Sequence, residues 1–298
     1  MKSNGENILI IGGGPSGIAA AVQLTRQGHK PTLFEKARLG GLLRNAGLVE
    51  NYPGFPDGIG GVELADLFQQ QLKKWDVSVI TEEVTSLDYD NDSFIATTAK
   101  QEYSAPIAVI ATGTEPLRFA DIDFPDNIGD TVSHEISHIR QERGKRITIV
   151  GGGDAAFDYA LTMSAHNQVT IINRTESVKC LPLLFKRVQD VPAIQYCPNT
   201  QLEAVESSPC GSLRLICQNG QQAVEIGADY LVLAIGRQPR MSFLSGGLAQ
   251  SLEQHEKRGV LYRIGDVING NFRQTAIAVG DGVRVAMQID RYLRGVES

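Results

Sequence analysis

Near its N-terminus the chain reads Ile8-Leu9-Ile10-Ile11-Gly12-Gly13-Gly14-Pro15-Ser16-Gly17, an apolar run of strand length that leads into a glycine-rich turn. Residues 18–27 follow with the pattern of an amphipathic helix. Gly12, Gly14 and Gly17 have the G-x-G-x-x-G spacing of a dinucleotide-binding turn. Such glycines permit a tight turn, close approach of a pyrophosphate and close packing of helix on strand. The stretch therefore predicts a nucleotide site at the start of a helix, where N–H groups and the helix dipole favour phosphate.

A second predicted strand, Thr32-Leu33-Phe34-Glu35, ends in an acid. Glu35 follows Gly17 by 18 residues (35 − 17), where a carboxylate is expected to bond the ribose hydroxyls. The alternative is a glycine-rich turn that holds no ligand. Strand, turn, helix, strand and acid in this order favour the nucleotide site.

The bulk properties limit the class of protein. The chain has 298 residues, enough for two domains of about 100–200 residues each. Its net charge of −6 argues against a general binder of nucleic acid or of anionic membranes. No apolar run reaches the ~20 residues of a membrane span, and the polar N-terminus predicts no signal peptide. A cytoplasmic protein is expected.

The sequence has four cysteines, Cys180, Cys197, Cys210 and Cys217, and no two of them form C-x-x-C. This spacing predicts neither a zinc knuckle nor a dithiol redox pair. Scattered in this way, the thiols are expected to be buried or incidental.

The opening pattern returns 139 residues later (151 − 12). Residues 146–150 form an apolar run, and Gly151, Gly153 and Ala156 then give G-x-G-x-x-A before another predicted helix. Two such units predict two bound nucleotides. The alternative is a duplicated fold that has lost one site.

The second unit ends its second strand differently. Asn173 and Arg174 stand where Glu35 stood, and no acid ends the strand. An arginine there favours a 2′-phosphate and hence NADP over NAD, with Lys179 as a possible contributor. The alternative is a solvated basic surface.

After each glycine turn come short alternating strands and then an apolar strand that ends in glycine, IAVIATG at 107–113 and LVLAIG at 231–236. The C-terminal stretch has no glycine turn of its own, so it is expected to complete the first domain. We predict an α/β fold with two Rossmann-like, doubly wound domains, each a parallel sheet plus an antiparallel meander, one inserted in the other. The predicted boundaries are 1–115 with 243–298, and 116–242.

Several motifs together resemble low-molecular-weight thioredoxin reductases almost end to end. They are GGGPSG (12–17), ENYPGFP (50–56), ATG (111–113), GGGDAA (151–156), AIGRQP (234–239), GDV (265–267) and RQTAIAVGDG (273–282). The resemblance implies a discontinuous FAD domain, an inserted NAD(P)H domain and a homodimer. It also implies that Asn51 and 273–275 line the flavin and that Asp266 bonds the ribityl chain.

The motifs and the resemblance together give two sets of expected binding residues. The FAD set is Gly12, Gly14, Pro15, Ser16, Gly17, Glu35, Lys36, Gly41, Leu42, Asn51, Val84, Ala111, Thr112, Gly113, Gly265, Asp266, Arg273, Gln274 and Thr275. The NAD(P)H set, with NADPH favoured, is Gly151, Gly153, Asp154, Ala155, Ala156, Asn173, Arg174, Lys179, Ile235 and Gly236.

The chain departs from this family at one decisive place. Thioredoxin reductases carry C-x-x-C shortly before the second glycine turn, and here that place is His134-Glu135-Ile136-Ser137. Disulfide exchange needs an attacking thiolate and a resolving partner, and neither is present there. GGGDAAFDYAL at 151–161 is similar to the branch of ferredoxin/flavodoxin–NADP reductases that lacks C-x-x-C. That branch usually carries a C-terminal extension, and this chain stops at Ser298.

His134 and His138 are weak candidates for a proton-transfer role, because histidine titrates near neutral pH. The alternative is that they are ordinary polar residues of a loop. No metal site is predicted: H-E-I-S-H at 134–138 has the H-E-x-x-H spacing, but no third ligand is visible.

The expected function is an FAD-dependent oxidoreductase that takes hydride from NAD(P)H and passes electrons from the flavin to an external acceptor. The acceptor would be ferredoxin, flavodoxin, a quinone or a small oxidant. One alternative is a disulfide reductase that uses a non-standard thiol, such as Cys180, or a partner's thiol. Another is a flavin-binding sensor or assembly protein with little use of NAD(P)H.

Overall fold

The structure, a computed structural model, describes residues 7–119, 122–125, 128–207 and 211–295. Its helices are α1 (Pro15–Arg26), α2 (Gly61–Lys74), α3 (Asp154–Ser164), α4 (Pro182–Gln189), α5 (Gly246–Lys257) and α6 (Thr275–Leu293). Its strands are β1 (Asn7–Ile11), β2 (Lys30–Phe34), β3 (Ser78–Ile80), β4 (Val84–Asp90), β5 (Ser93–Thr98), β6 (Glu102–Ala105), β7 (Ile107–Ile110), β8 (Thr114–Pro116), β9 (Val132–Ser133), β10 (Arg146–Val150), β11 (Gln168–Ile172), β12 (Ile194–Cys197), β13 (Thr200–Ser207), β14 (Leu213–Asn219), β15 (Gln222–Ala228), β16 (Tyr230–Leu233), β17 (Arg237–Pro239) and β18 (Leu261–Arg263).

The chain divides into two compact units. The first holds the described parts of Met1–Arg44, Val49–Glu115 and Gln238–Ser298, and the second holds those of Asn45–Leu48 and Pro116–Arg237. The first unit is therefore discontinuous. By these contacts the chain returns to it at Gln238, whereas the sequence places that boundary at 243, and the predicted boundaries stay predictions.

The first unit is built on a parallel five-stranded sheet in the order β18-β7-β1-β2-β3. The central strand β1 is buried on both faces, which explains its unbroken apolar run. The C-terminal segment joins the sheet through β18, where Leu261 pairs with Ala108 of β7. The C-terminal stretch thus completes the first unit, as the sequence predicts.

The two faces of this sheet are covered differently. On one face, the antiparallel sheet β4-β5-β6 and helix α5 enclose a core that includes Phe34, Phe94 and Leu248. On the other face, α1 packs on α6 so closely that a Cβ at Gly282 would lie 2.2 Å from the carbonyl oxygen of Ser16. Only glycine permits that approach, so the long C-terminal helix is fixed against the first glycine turn.

The second unit repeats the plan. Its parallel sheet has the order β12-β11-β10-β16-β9, and the antiparallel sheet β13-β14-β15 lies beside it. One core, around Ile149, Phe157 and Ile171, lies under α3. A second core joins Ile172 and Leu215, between the main sheet and the meander.

Two helices of the structure are absent from the sequence-based expectations. Helices α4 and α5 are not anticipated by the sequence reasoning, because their apolar faces are short. Strands β6 and β7 are separated at Pro106, since proline cannot donate to a ladder. In the part of the chain that the structure describes, no helix is long and apolar enough to cross a bilayer.

His255, near the end of α5, is a buried histidine in the core of the first unit. Its ring lies 4.1 Å from that of Tyr89 and 5.6 Å from that of Phe94, between centroids. Its Nδ1 is buried without a hydrogen-bond partner among the described residues. Burial, together with the positive charge of Arg258, lowers the pKa of His255. The folded protein therefore holds this ring neutral.

We expect His255→Phe to flatten the loss of stability on acidification. Below about pH 6.5, the pKa of a free histidine, the unfolded chain binds a proton that the folded chain does not. Stability then falls with decreasing pH, and removing the group removes that contribution. Thermal unfolding of wild type and variant between about pH 8 and pH 5 measures it, with His166→Phe at an exposed position as the control. Parallel pH profiles for wild type and His255→Phe would contradict the prediction.

Candidate nucleotide-binding sites

The first glycine turn has the geometry that its spacing predicts. Gly12 has φ of +113°, and a Cβ there would lie 2.2 Å from the carbonyl oxygen of Ala111. A Cβ at Gly17 would lie 2.0 Å from the carbonyl oxygen of Gly12. These two glycines permit the turn and the contact between helix and strand.

Gly14 has a different environment. It precedes α1 with φ of −76°, and a Cβ there would have no protein atom within 4 Å. Helix α1 begins at Pro15 without a side-chain cap, and helix geometry leaves the N–H groups of Ser16 and Gly17 without an acceptor inside the helix. Open space in front of free N–H groups at a helix start suits a pyrophosphate. Gly41, with φ of +52°, borders this space, since its Cβ would lie 3.4 Å from Gly14 Cα.

Glu35 lies at the turn, directly after β2. Its Oε2 accepts from the N–H of Gly13 at 2.9 Å, and its Oε1 accepts from the N–H of Ala37 at 2.9 Å. The backbone thus fixes the carboxylate beside the glycine turn. A carboxylate has further lone pairs, so this position still suits the ribose hydroxyls.

The C-terminal segment reaches the same turn. Gly265 has φ of +72°, and a Cβ there would lie 2.6 Å from Ser16 Oγ. Asp281, buried in α6, accepts from the N–H of Gly265 at 3.3 Å and from Asn269 Nδ2 at 2.6 Å. The sequence reasoning missed Asp281. The sequence feature that indicates Asp281 is an acidic residue on the buried face of α6, within the run AVGDG.

Two predicted flavin residues meet directly. Asn51 Nδ2 donates to Gln274 Oε1 at 2.9 Å, although 223 residues separate them. Both side chains are exposed, and Arg273 beside them is half-buried. The structure therefore brings the 50–56 turn and the start of α6 together.

The remaining residues of the predicted FAD set fall into three groups. Val84 is buried in the core, so only its backbone is available to a ligand. Thr112 Oγ1 donates to the carbonyl of Arg240 at 2.7 Å, which ties the 111–113 turn to the returning chain. The others are half-buried or exposed: Pro15, Lys36, Leu42, Gly113, Asp266 and Thr275.

The second glycine turn repeats the first. Gly151 has φ of +153°, and a Cβ there would lie 2.4 Å from the carbonyl oxygen of Ala234. A Cβ at Gly153, like one at Gly14, would have no protein atom within 4 Å. Ala156 is buried and packs in the core under α3. This turn therefore offers a second phosphate cradle.

Around the second turn, the predicted residues take different places. Asp154 Oδ1 accepts from the N–H of Leu181 at 2.7 Å, and Lys179 N donates to the carbonyl of Gly152 at 2.8 Å. Arg174 and the side chain of Lys179 are exposed, whereas Asn173 is buried. The other predicted positions, Ala155, Ile235 and Gly236, are exposed or half-buried.

The place that carries C-x-x-C in thioredoxin reductases is a polar loop here. His134 Nδ1 lies 3.1 Å from the carbonyl of Leu233, and burial lowers the pKa of His134. His138 is exposed, and its Nε2 lies 3.1 Å from the carbonyl of Asp130. Residues 134–138 form turns and bends rather than a helix, and the described residues contain no metal-ligand cluster.

Glu135, between these histidines, is another residue that the sequence reasoning missed. It pairs with Arg237 at 3.4 Å and accepts from Asn45 Nδ2 at 2.9 Å. Both partners are distant in sequence, so no local pattern signals the cluster.

The described cysteines lie elsewhere. Cys180 and Cys197 are half-buried, Cys217 is buried, and Cys210 lies outside the described residues. Burial raises the pKa of all three thiols, that of Cys217 to about 11. A raised thiol pKa means little thiolate, so these cysteines are poor nucleophiles.

Two parallel-sheet units, each with an intact glycine turn and an open cradle, are typical of proteins that bind two dinucleotides. The model of the family "Pyridine nucleotide-disulphide oxidoreductase" matches residues 6–282, and the chain belongs to that family. It is an NAD(P)H-dependent flavoprotein oxidoreductase whose cofactors are FAD and NAD(P)H.

The chain is similar to named thioredoxin reductases along nearly its whole length. It is 29% identical to thioredoxin reductase of Streptomyces clavuligerus, over 98% of this chain and 95% of that one. It is 28% identical to mitochondrial thioredoxin reductase 1 of Arabidopsis thaliana, and the match covers 100% of this chain and 86% of that one. The solved thioredoxin reductase of T. acidophilum superposes with a TM-score of 0.82 at 27% identity, over 99% and 100%. The solved thioredoxin reductase of Lactococcus lactis superposes with a TM-score of 0.86 at 24% sequence identity, and the match covers 98% of this chain and 100% of that one.

These comparisons confirm the predicted family resemblance, the fold class, the enzyme class and the two cofactors. The individual binding residues stay predictions. What supports them is the geometry of the two cradles.

We expect Gly14→Ala to weaken FAD binding without harming the fold. The new methyl group would enter open space in the protein but would meet a bound pyrophosphate. Overpacking costs about 1–3 kcal/mol, a loss of roughly five- to a hundredfold in affinity. Fluorescence titration of FAD-free protein with FAD measures the affinity, and thermal unfolding of the FAD-free protein measures the fold.

Two further glycine variants serve as controls for Gly14→Ala. Gly247→Ala, in the first turn of α5, also meets open space and is expected to change neither quantity. Gly17→Ala is expected to lower the unfolding temperature itself, because its methyl group would meet the Gly12 carbonyl. Equal FAD affinity of Gly14→Ala and Gly247→Ala would rule out the cradle at Gly14.

Proposed function

We propose that this chain oxidises NADPH and delivers the electrons to an external acceptor without passing them through a pair of its own cysteines. The acceptor is ferredoxin, flavodoxin, a quinone or a small oxidant. This assignment is narrower than the oxidoreductase class that the family defines.

The observation that carries the proposal is the loop at 134–137. Where thioredoxin reductases have two cysteines, this loop holds His134 and Ser137, and Glu135 is engaged by Arg237. Disulfide exchange needs a thiolate, and the described cysteines lie elsewhere with raised pKa values. An internal disulfide relay of the usual kind therefore has no sulfur at its usual place.

The chain's own residues would bind and orient. The N–H groups at the start of α1, beyond Gly14, would hold the FAD pyrophosphate, and Glu35 would accept from its ribose. The linked pair Asn51 and Gln274 would position the ring. When bound, FAD supplies the chemistry of accepting hydride from NADPH and releasing electrons onward.

His134 is better suited to accept a proton than to donate one. Its lowered pKa keeps the imidazole neutral at pH 7. When Nδ1 carries the proton and donates it to the Leu233 carbonyl, Nε2 is left as an acceptor. A role as proton donor to a reduced cofactor is thus not favoured by this geometry.

A second candidate function is the reduction of an external disulfide. What favours it is that the similar proteins are named thioredoxin reductases. In this chain such a reaction would use a thiol outside the usual place or a thiol of the partner. We also propose a homodimer, as the family resemblance implies.

We expect a variant without any cysteine to retain full NADPH oxidation. Cys180, Cys197 and Cys210 change to Ser, and the buried Cys217 changes to Ala. In anaerobic stopped-flow with NADPH, the flavin absorbance is expected to disappear at the wild-type rate. Steady-state turnover with a quinone is expected to stay within about twofold, because no thiol takes part.

The same variant separates the two candidate functions. Lost quinone turnover with retained bleaching of the flavin would overturn direct transfer and favour a thiol relay. Retained turnover with both quinone and a disulfide substrate would leave the partner as the only source of thiol chemistry. Failure of both NADPH and NADH to bleach the wild-type flavin would overturn the proposal entirely.

A further inference from the structure

The two units hold different residues at one equivalent position. In the first unit, Ile11 pairs with Phe34 and Glu35 follows. In the second, Val150 pairs with Ile172 and Asn173 follows. The strand registers therefore make Asn173 the counterpart of Glu35.

Each of these residues lies against the middle glycine of its turn. A Cβ at Gly13 would lie 2.9 Å from Glu35 Cβ, and a Cβ at Gly152 would lie 2.8 Å from the amide of Asn173. The chemistry differs, however. Glu35 is a carboxylate that only accepts hydrogen bonds, whereas Asn173 is neutral and also donates.

The Asn173 amide organises the loop that follows it. Its Nδ2 donates to the carbonyl of Ser177 at 3.1 Å and to the hydroxyl of Tyr196 at 3.1 Å. Its Oδ1 lies 3.5 Å from both N and Oγ1 of Thr175, and Thr175 Oγ1 also donates to the Ser177 carbonyl at 3.1 Å. The amide thus holds the loop 174–177 at both ends.

Tyr196 is itself held in place. Its ring lies 5.7 Å from that of Phe157 and 5.6 Å from that of Phe185, between centroids, within the core under α3. Aromatic neighbours fix the ring, so the hydroxyl has a defined position at the Asn173 amide. Tyr196 lies 23 residues from Asn173 in the chain.

We propose that Asn173, held by Tyr196, is the positioning residue that makes this unit select NADPH. The inference rests on the proposed NADPH site. The loop carries the exposed Arg174, and the exposed Lys179 follows it, anchored through its N–H to the Gly152 carbonyl. Two cations on a fixed loop suit a 2′-phosphate, for which arginine supplies a planar pair of donors.

The neutral amide contributes in a second way. A carboxylate at this position, like Glu35 in the first unit, would accept from a ribose 2′-hydroxyl and repel a 2′-phosphate. The amide removes that repulsion. Asn173 thus acts through charge and through the loop that it positions.

The test uses Tyr196→Phe, which keeps the ring and removes only the hydroxyl. A neutral hydrogen bond contributes about 0.5–1.5 kcal/mol, so binding of 2′,5′-ADP is expected to weaken roughly two- to tenfold. Binding of 5′-AMP, which lacks the 2′-phosphate, is expected to stay unchanged. Isothermal titration of the FAD-loaded protein measures both ligands.

Tyr230→Phe is the matched control, because Tyr230 packs against the same core from β16 and is not part of the 174–177 loop. It is expected to change neither affinity. In steady state, Tyr196→Phe is expected to raise KM for NADPH with kcat unchanged and to leave KM for NADH unchanged. A uniform weakening of 2′,5′-ADP and 5′-AMP would overturn a selective role.

Asn173→Asp is the second variant and tests the added charge together with the loss of the amide donor to the Ser177 carbonyl. It keeps the size of the side chain but adds a carboxylate, so the preference of 2′,5′-ADP over 5′-AMP is expected to fall by about tenfold or more. Unchanged preference in this variant would contradict the inference.

Arg174→Ala separates this inference from the proposed site. If it removes the preference for 2′,5′-ADP while Tyr196→Phe and Asn173→Asp do not, the site stands and the positioning role fails. If Arg174→Ala leaves the preference intact, the assignment of the 2′-phosphate to this loop fails, and the positioning role fails with it.

Discussion

The approach of α1 to β1 leaves no room for one methyl group between Gly17 and the carbonyl of Gly12. This backbone contact brings a helix start to the end of the central strand, where the predicted nucleotide site of this unit lies. In the second unit Ala156 stands at the equivalent position, and the contact that excludes a methyl group is that of Gly151 with the Ala234 carbonyl. By contrast, Gly14 and Gly153 face open space. One motif thus combines glycines that the fold requires with glycines that leave space beside the helix start.

The two-unit fold and the glycine turns could be predicted because short-range spacing in the sequence encodes them. The glycine turns, the apolar strands and the acid at Glu35 are all encoded within about 30 residues, and the structure has them in the predicted order. The residues that sequence reasoning missed depend on distant partners. Asp281 bonds Gly265, Glu135 pairs with Arg237, and Tyr196 bonds Asn173. Each pair is formed by the tertiary fold, so no periodicity or short motif signals it.

The loop at 134–137 has no cysteine, and its side chains are held by an ion pair and hydrogen bonds. Glu135 is held by Arg237 and by Asn45, and His134 is tied to the strand β16 through the Leu233 carbonyl. A pair of reactive thiols needs freedom to exchange partners, whereas these side chains are occupied by charge pairing and hydrogen bonds. Through these contacts the loop is part of the structural framework of the second unit.

The strand β18 belongs to the sheet of the first unit but is made late in the synthesis of the chain. Leu261 follows Ile110 by 151 residues (261 − 110), yet β18 is the partner of β7. At about 5–20 residues per second, a ribosome needs roughly 8–30 seconds to make the intervening chain. During that time the edge of β7 has no partner, and such an edge invites wrong pairing. The inserted unit, complete at Arg237, is synthesised within this interval. The order of synthesis therefore completes the second unit before β18, the last strand of the first unit's sheet, is made.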